Sequence, residues 1–304
     1  MMERFIQLTP LQRFKLTNFN LIDILGKGAS GCVYKHIQDN NSYAVKVLNI
    51  EDWGEEEEVF YEDLLWQTQI INQLKGLNKS ITFFGYDIIN ENNIEKCVIV
   101  MEYLNCKGDL YDYINQEGFW KKVSEYKRYT FNTGSNYTEY IMSFQEKKKI
   151  SLELIKAVQE LHSKDCGIIH GDIKTCNIIL DNEKQLKLID FGASIFCEKG
   201  CSLLRTDWHH GTLGYSSPED QNSCLLGKPS DIYSLGITLI EVWSGKIWGD
   251  SEDFRSCRNE ALKSLRLIEN NDPNIGKLLR KLINLDSKKR PKINKILKDY
   301  NNII

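Results

Sequence analysis

The segment His170-Gly171-Asp172-Ile173-Lys174-Thr175-Cys176-Asn177 sets a carboxylate and a carboxamide five residues apart, in a loop ahead of the short apolar run Ile178-Ile179-Leu180. In such a loop the Asp172 carboxylate can orient a hydroxyl while the Asn177 oxygen meets a metal ion. A second carboxylate, Asp190, follows the run Gln185-Leu186-Lys187-Leu188-Ile189, where a strand would end. Asn177 and Asp190 together therefore offer oxygen ligands to a hard cation of the Mg²⁺ kind. Upstream, Gly26-x-Gly28-x-x-Gly31-x-Val33 falls between two expected strands. A dinucleotide fingerprint needs the turn from a strand into a helix, whereas a glycine-rich hairpin lets backbone N–H groups approach the oxygens of a triphosphate. Alone, the pattern is weak and reads better as an ordinary flexible turn. Lys46 closes the stretch Tyr43-Ala44-Val45-Lys46. A lysine in such an apolar strand either snorkels to solvent or points into a cleft at a phosphate.

Positioning these groups takes a strand-rich first third and a helical remainder. Residues 20–50 read as strand, glycine turn, strand, a polar turn at 39–42 and a third strand. Within 59–74, Leu64, Leu65, Ile70, Ile71 and Leu74 recur at helical spacing. Residues 81–89 and 96–104 read as two more strands about the polar turn 90–93. Beyond 104 the pattern is helical, at 109–114, at 147–162 with apolar Ile150, Leu154, Ile155, Val158 and Leu161, and again from Asp231 to Gly245. This is an α+β arrangement with its boundary near residue 104. Residues 118–145, basic and aromatic with little periodicity, read as an insertion loop on the surface.

With 41% hydrophobic and 27% charged residues, the chain has the composition of a folded domain that buries a core. Its 39 basic and 42 acidic residues leave a net charge of -3, so no overall field draws it to nucleic acid or an anionic membrane. No apolar run is long enough for a membrane span, and the amino terminus lacks the apolar core of a secretory signal. Nine cysteines without framework spacing suit reduced thiols inside the cell, in the cytoplasm or nucleus. Cys197 and Cys201 form a lone C-x₃-C pair with no second pair at zinc-like spacing. No feature sets an oligomeric state.

In this order, the motifs resemble the signature set of eukaryotic-type protein kinases of the serine/threonine class. The resemblance runs from about Asn20 to Tyr300. Gly211-Thr212-Leu213-Gly214-Tyr215-Ser216-Ser217-Pro218-Glu219 resembles the segment ending in A-P-E, with Ser217 in place of Ala. Asp231 to Gly236 resembles the helix that supports the catalytic loop, and Arg290 the late arginine that pairs with the A-P-E glutamate, here Glu219. The resemblance implies a bilobal α+β fold, with a five-stranded antiparallel N-lobe sheet, one main N-lobe helix and a mainly helical C-lobe. The kinase domain would cover 18–304, with an N-lobe of about 18–101, a hinge at 102–104, a C-lobe from about 105 and an N-terminal extension over 1–17. It further implies ATP and Mg²⁺ as cofactors and a protein Ser/Thr hydroxyl as acceptor. Asp172 would accept or orient the substrate proton, Lys174 would neutralise the moving phosphoryl group, and Asn177 and Asp190 would hold Mg²⁺. Lys46 would grip the α- and β-phosphates across a cleft from Asp190. Leu25, Gly26, Lys27, Gly28, Ala29, Gly31, Val33 and Ala44 would enclose the nucleotide. Met101 would be the gatekeeper, the backbone from Glu102 to Leu104 would bind adenine, and Asp109 the ribose, although the hinge-to-Asp109 spacing is one residue longer than usual.

Two positions depart from the family pattern. Aligning Ile70, Ile71 and Leu74 with the family's apolar residues puts Gln67 where a glutamate normally meets the strand lysine, with Glu62 or Glu58 as substitutes if the helix is rotated or shifted. Gly171 stands where most protein kinases carry arginine, so a phosphate on Ser202 or Thr206 lacks its usual receiving charge, though Arg205 and Lys199 lie nearby in sequence. H-G-D with a following Asn also resembles small-molecule kinases of the aminoglycoside and choline type, and Gln67 is the one residue that favours a pseudokinase acting as a scaffold. Against both stand Lys174, the Gly211 to Glu219 segment, and the full set Lys46, Asp172, Asn177 and Asp190.

Overall fold

The computed structural model describes residues 6–19, 23–28, 31–48, 57–91, 94–106, 108–115, 142–163, 165–183, 185–197, 203–206, 211–248 and 254–303. The chain divides into two compact units, Met1–Asn105 and Cys106–Ile304.

The first unit carries strands β1 (Ile24–Gly28), β2 (Gly31–Gln38) and β3 (Asn41–Val47), helix α1 (Glu57–Gln73), then β4 (Phe83–Glu91) and β5 (Ile94–Glu102). They form one five-stranded antiparallel sheet in the order β1-β2-β3-β5-β4. The turn expected over 39–42 closes in two residues, Asp39 and Asn40, with φ of 50° and 62°. Two successive left-handed residues match the twist of the flanking strands, and Asp and Asn tolerate that conformation, so Asn41 and Ser42 join β3. Likewise β4 and β5 run into the expected turn 90–93, of which 92–93 lie outside the described residues.

Side chains alternate across a strand, so Ala44 and Lys46 share one face of β3 while Val45 and Val47 share the other. On the latter face Val45, Val47 and Val98 form a buried cluster, and Leu16 and Phe19 pack against it. Leu16 belongs to the stretch expected as an extension, yet that stretch is bound to the sheet. Arg13 bridges Tyr86 in parallel, Phe14 N donates to the Tyr86 carbonyl at 2.7 Å, and Tyr86 N donates to the Gln12 carbonyl at 3.2 Å. Asp87, only 4% exposed, accepts from Arg13 Nε at 3.0 Å and from Leu16 N at 2.8 Å. These bonds had no sequence signature, because the strap is short and shows no period-2 alternation. Removing residues 1–17 strips both donors from a buried carboxylate, a loss worth about 1–3 kcal/mol or more. We expect the 18–304 chain to melt at least about 5 °C below the full chain, and Asp87→Asn to recover part of that loss.

The second unit opens with α2 (Leu110–Asn115) and α3 (Phe144–Leu161), followed by the two-residue to three-residue strands β6 (Ile168–Ile169), β7 (Ile178–Leu180), β8 (Leu186–Leu188), β9 (Ile195–Phe196) and β10 (Leu204–Arg205). Then come α4 (Pro218–Ser223), β11 (Leu225–Leu226), α5 (Lys228–Ser244), α6 (Phe254–Asn271), α7 (Pro273–Leu282) and α8 (Ile293–Asn301). The strands pair as three small antiparallel ribbons, β6 with β9, β7 with β8, and β10 with β11. Helix α5 is buried at every position from Ser230 to Trp243, as befits a helix apolar on nearly all sides, and α3, α6 and α7 pack around it. Helix α3 starts before the expected Lys147, because Ser143 and Glu146 form a capping box. Residues 144–145 therefore belong to a helix rather than to the expected insertion loop, and 116–141 lie outside the described residues. Among the described residues no helix is long and apolar enough to cross a membrane.

Candidate functional site

The loop that carries Asp172 hangs from the core helix. Asp231, 1% exposed in the first turn of α5, accepts from His170 N at 2.9 Å, from Gly171 N at 3.0 Å and from His162 Nε2 at 2.8 Å. A helix N-terminus favours such a buried carboxylate, and two of its partners are loop amides. His170 packs its ring on Phe191 with centroids 4.9 Å apart, and Ser194 Oγ donates to its carbonyl at 2.9 Å. Thus the 170–172 backbone is held from α5 on one side and from the segment after Asp190 on the other.

Gly171 has φ of +81°, and a Cβ there would run into the Ala193 carbonyl oxygen. The glycine is more than a missing arginine, because this backbone is one that L residues take only with strain. Gly211, at φ +82°, lies against it: a Cβ would sit 2.5 Å from the Gly171 oxygen and 3.2 Å from Asp172 Oδ1. That close approach brings Thr212 to the loop that carries Asp172.

Asp172 is bound on both oxygens. Oδ1 accepts from Thr212 N at 2.9 Å, while Oδ2 accepts from Asn177 Nδ2 at 3.0 Å and pairs with Lys174 Nζ at 2.8 Å. Lys174 Nζ also donates to Thr212 Oγ1 at 2.6 Å. Asn177 Nδ2 makes a second bond, to the Asp172 carbonyl at 2.9 Å, which leaves its Oδ1 on the opposite edge of the amide. Its own carbonyl accepts from Ile189 N at 3.0 Å, tying the loop to the end of β8 just before Asp190. Asp190 is exposed and holds φ of 57°, an uncommon backbone for a non-glycine residue. Asp109 precedes α2 and accepts from Asp112 N at 2.9 Å; burial pushes its carboxyl up to about 6 against the pull of the Asp112 and Tyr111 amides.

In the first unit the register lines up the other candidates. Gly26 pairs with Val33, Val33 with Lys46 and Lys46 with Ile99, while Ala44 pairs with Met101 in the adjoining row. Gly28 faces Gly31 across the hairpin, Leu25 and Lys27 are exposed, and Ala29 lies outside the described residues. Met101 is 8% exposed at the end of β5. Glu102 exchanges bonds with Thr82, its N donating to the Thr82 carbonyl at 2.8 Å and its Oε1 accepting from Thr82 N at 2.6 Å. Leu104 is half-buried.

On α1, Gln67 is half-buried and Glu62 exposed, while the Glu58 side chain lies outside the described residues. Gln67 Nε2 donates to Asp63 Oδ2 at 2.6 Å. Asp63 is absent from the residues singled out in the sequence, although its place four residues before Gln67 on the same helix face was a usable signal. Also unforeseen is a buried chain in which Tyr215 OH donates to Glu241 Oε2 at 2.8 Å and lies 3.0 Å from Thr175 Oγ1.

Residues 19–300 match the family model of the protein kinase domain. The chain belongs to the protein kinase family. It is similar to a "serine/threonine-protein kinase-like protein" of Arabidopsis thaliana, 28% identical over 228 residues that cover 75% of this chain and 56% of the relative. It is also similar to wall-associated receptor kinase 5 of the same plant, 31% identical over 230 residues covering 75% of this chain and 27% of the relative. Wall-associated receptor kinase-like 1 matches 94% of this chain at 28% identity, and 38% of its own length is covered. The chain thus spans between about a quarter and just over half of the length of these relatives.

Within the kinase domain, Glu219 and Arg290 form the pair that the family pattern implies. Arg290 NH1 and NH2 donate to the two Glu219 oxygens at 2.6 and 2.8 Å, with the Arg290 side chain wholly buried. Arg290 also donates to the Pro229 and Asn284 carbonyls at 2.7 and 2.8 Å and stacks 5.0 Å from the Tyr233 ring. The 204–206 stretch is fixed locally too. Strand β10 pairs with β11, and Thr206 donates to the Cys224 carbonyl through both N (2.8 Å) and Oγ1 (3.0 Å). Among the described residues, no three His, Cys, Asp or Glu side chains form a metal cage. Magnesium needs no such cage, since it commonly takes one or two protein oxygens plus phosphates and water, and the Asn177 and Asp190 donor set suits it.

Proposed function

We propose that this kinase domain transfers the γ-phosphoryl group of ATP to serine or threonine hydroxyls of protein substrates. The observation that carries the reading is Lys174, whose ammonium bridges Asp172 Oδ2 and Thr212 Oγ1 while Thr212 N holds Asp172 Oδ1. This arrangement aims a carboxylate at an incoming hydroxyl and keeps a cation beside it, and phosphoryl transfer asks for positioning and charge neutralisation more than covalent chemistry. In this reading Asp172 orients the acceptor hydroxyl and takes its proton, and Lys174 neutralises the transferring group. Asn177 and Asp190 would hold the metal ion, which would supply positive charge to offset that of the phosphates. Lys46 anchors the α- and β-phosphates, Met101 to Leu104 hold adenine, and Asp109 binds the ribose. Labelled ATP, Mg²⁺ and mixed protein acceptors, followed by identification of the labelled amino acids, test this directly. Phosphoserine and phosphothreonine are expected; label confined to tyrosine would contradict it.

The same geometry supports a weak phosphorylation switch. Gly171 brings no arginine to receive a loop phosphate, and the Thr206 hydroxyl is engaged with the Cys224 carbonyl within a stretch already held by β10 and β11. We expect protein made without any upstream kinase to be active. Ser202→Ala with Thr206→Ala should change turnover by less than about tenfold. A hundredfold gain on loop phosphorylation would contradict that expectation.

A further inference from the structure

The net charge of -3 hides a sharp division along the chain. Residues 273–304 hold nine of the 39 basic residues and two of the 42 acidic ones, a net +7 that leaves 1–272 at -10. Arg290 is buried against Glu219, and the other eight basic residues of this stretch are exposed. They lie on outward faces because the inward ones are apolar. Helix α7 buries Ile275, Leu278, Leu279 and Leu282 and turns Lys277, Arg280 and Lys281 the opposite way. Helix α8 buries Ile293, Ile296 and Tyr300 and turns out Lys295 and Lys298, with exposed Lys292 as its N-cap.

The two helices pack together and their outward faces adjoin. The Lys295 hydrogen bond, at 2.6 Å, and the charges of Lys281 and Lys298 hold the Asp299 carboxyl below its usual value, so the last turn of α7 reaches the exposed side of α8. Between the helices, the turn 284–290 is tied by its own hydrogen bonds. Arg290 Nε donates to the Asn284 carbonyl at 2.8 Å, Asp286 N to Asn284 Oδ1 at 2.9 Å and Lys288 N to Asp286 Oδ1 at 3.0 Å. This turn holds out Lys288, Lys289 and also Leu285, which is 57% exposed. Arg280, Lys289 and Lys295 pair with Glu269, Asp286 and Asp299, whereas Lys277, Lys281, Lys288, Lys292 and Lys298 make no ion pair with a described residue.

We propose that this face of α7, the 284–290 turn and α8 is a docking surface for an anionic membrane, with the lysines against lipid headgroups and Leu285 in the interfacial layer. The chemistry favours lipid over other polyanions. Seven of the eight exposed basic residues are lysines, point charges that need no matched partner geometry, whereas selective phosphate and base recognition leans on the arginine fork. Tyr300 is the one aromatic residue of 273–304 and is buried, so the stretch offers a base no exposed ring to stack on. An apolar side chain held out among lysines gains contact at a membrane interface that it lacks in water. The remainder of the chain, at -10, is repelled by the same surface, which orients the encounter. The inference stands apart from the phosphotransfer reading.

The test is sedimentation of the full chain with vesicles of phosphatidylcholine, alone or with about a third phosphatidylserine, at about 0.1 M salt. The parent should sediment with the anionic vesicles, stay in solution with the neutral ones, and be released at about 0.5 M salt. Lys277→Gln, Lys288→Gln and Lys292→Gln together should weaken binding by at least about tenfold, while arginine at the same three positions should keep it within about threefold. Leu285→Ser should weaken it by about threefold. All four side chains are exposed, so the variants should melt with the parent. A parent that ignores the anionic vesicles, or a triple glutamine variant that sediments as the parent does, overturns the assignment. Capture by a single-stranded RNA homopolymer without capture by the anionic vesicles overturns it in favour of nucleic acid. Leu285→Ser binding equal to the parent's overturns the role of Leu285 alone.

Discussion

Asp172→Asn should lower phosphotransfer by about 10²–10⁴-fold, the range set by losing a positioned general base, while ATP binds within about threefold of the parent affinity. The substitution keeps size and shape, so the effect is electronic. In the parent, both carboxylate oxygens serve as acceptors, for Thr212 N on one side and for Asn177 Nδ2 and Lys174 Nζ on the other. An amide offers one oxygen and one NH₂ group, so whichever way it turns a donor faces a donor, and the negative charge that orients a hydroxyl is gone. The residues assigned to the nucleotide are others, which is why affinity should stand. Turnover measured beside a direct ATP titration separates the two quantities. Affinity lost in step with turnover would show that Asp172 holds the nucleotide, contrary to its assigned role.

The largest expected effect on stability is at Glu219. Its removal leaves the Arg290 guanidinium, wholly buried, with two carbonyls and a ring face but no counter-charge. Breaking a buried pair from one side costs about 3–5 kcal/mol, a large share of the stability of an ordinary domain. Glu219→Ala should therefore melt about 10 °C below the parent, read by calorimetry or circular dichroism. The pair also gives stability a dependence on pH. Burial alone would raise the Glu219 carboxyl, but the Arg290 hydrogen bonds and charge outweigh it and hold it below the usual glutamate value of 4.5. The folded chain thus takes up this proton less readily than the unfolded one. The contribution is complete above that usual value and drains away as pH falls through the depressed one. Glu219→Gln should remove this acid-side slope, and a parent whose melting temperature does not fall faster with acid than that of Glu219→Gln would argue against a tight pair.

What the sequence made legible follows from the physics that writes the pattern. The β2–β3 hairpin and the lysine of β3 are written in apolar runs and turn chemistry, which are local, whereas the single five-stranded sheet was implied by the family resemblance and its order depends on the long-range pairing of β3 with β5. The Asp172 to Asn177 loop and Asp190 stood out because residues of these types at this spacing suit oxygen ligation and proton handling. The strap over 11–19 was not, because its place depends on Asp87, some seventy residues away, and on the Val45, Val47 and Val98 cluster. Asp63 escaped for a different reason. Aligning the apolar residues of α1 assigns one position, Gln67, but says nothing of the hydrogen bond that Gln67 makes to Asp63 one turn away. Gly171 was read as the absence of a cation, while a second feature, a backbone too close to Ala193 for any Cβ, is visible only with φ in hand.

The most direct test of the central reading is the transfer of labelled γ-phosphate into protein by phosphatase-treated chain, measured with Mg²⁺ and again with the metal chelated. Label on protein serine and threonine is expected to depend on Mg²⁺ and to exceed the Asp172→Asn background by at least about a hundredfold. Label no greater than that background, or label found on an aminoglycoside or choline acceptor and not on protein, would contradict it.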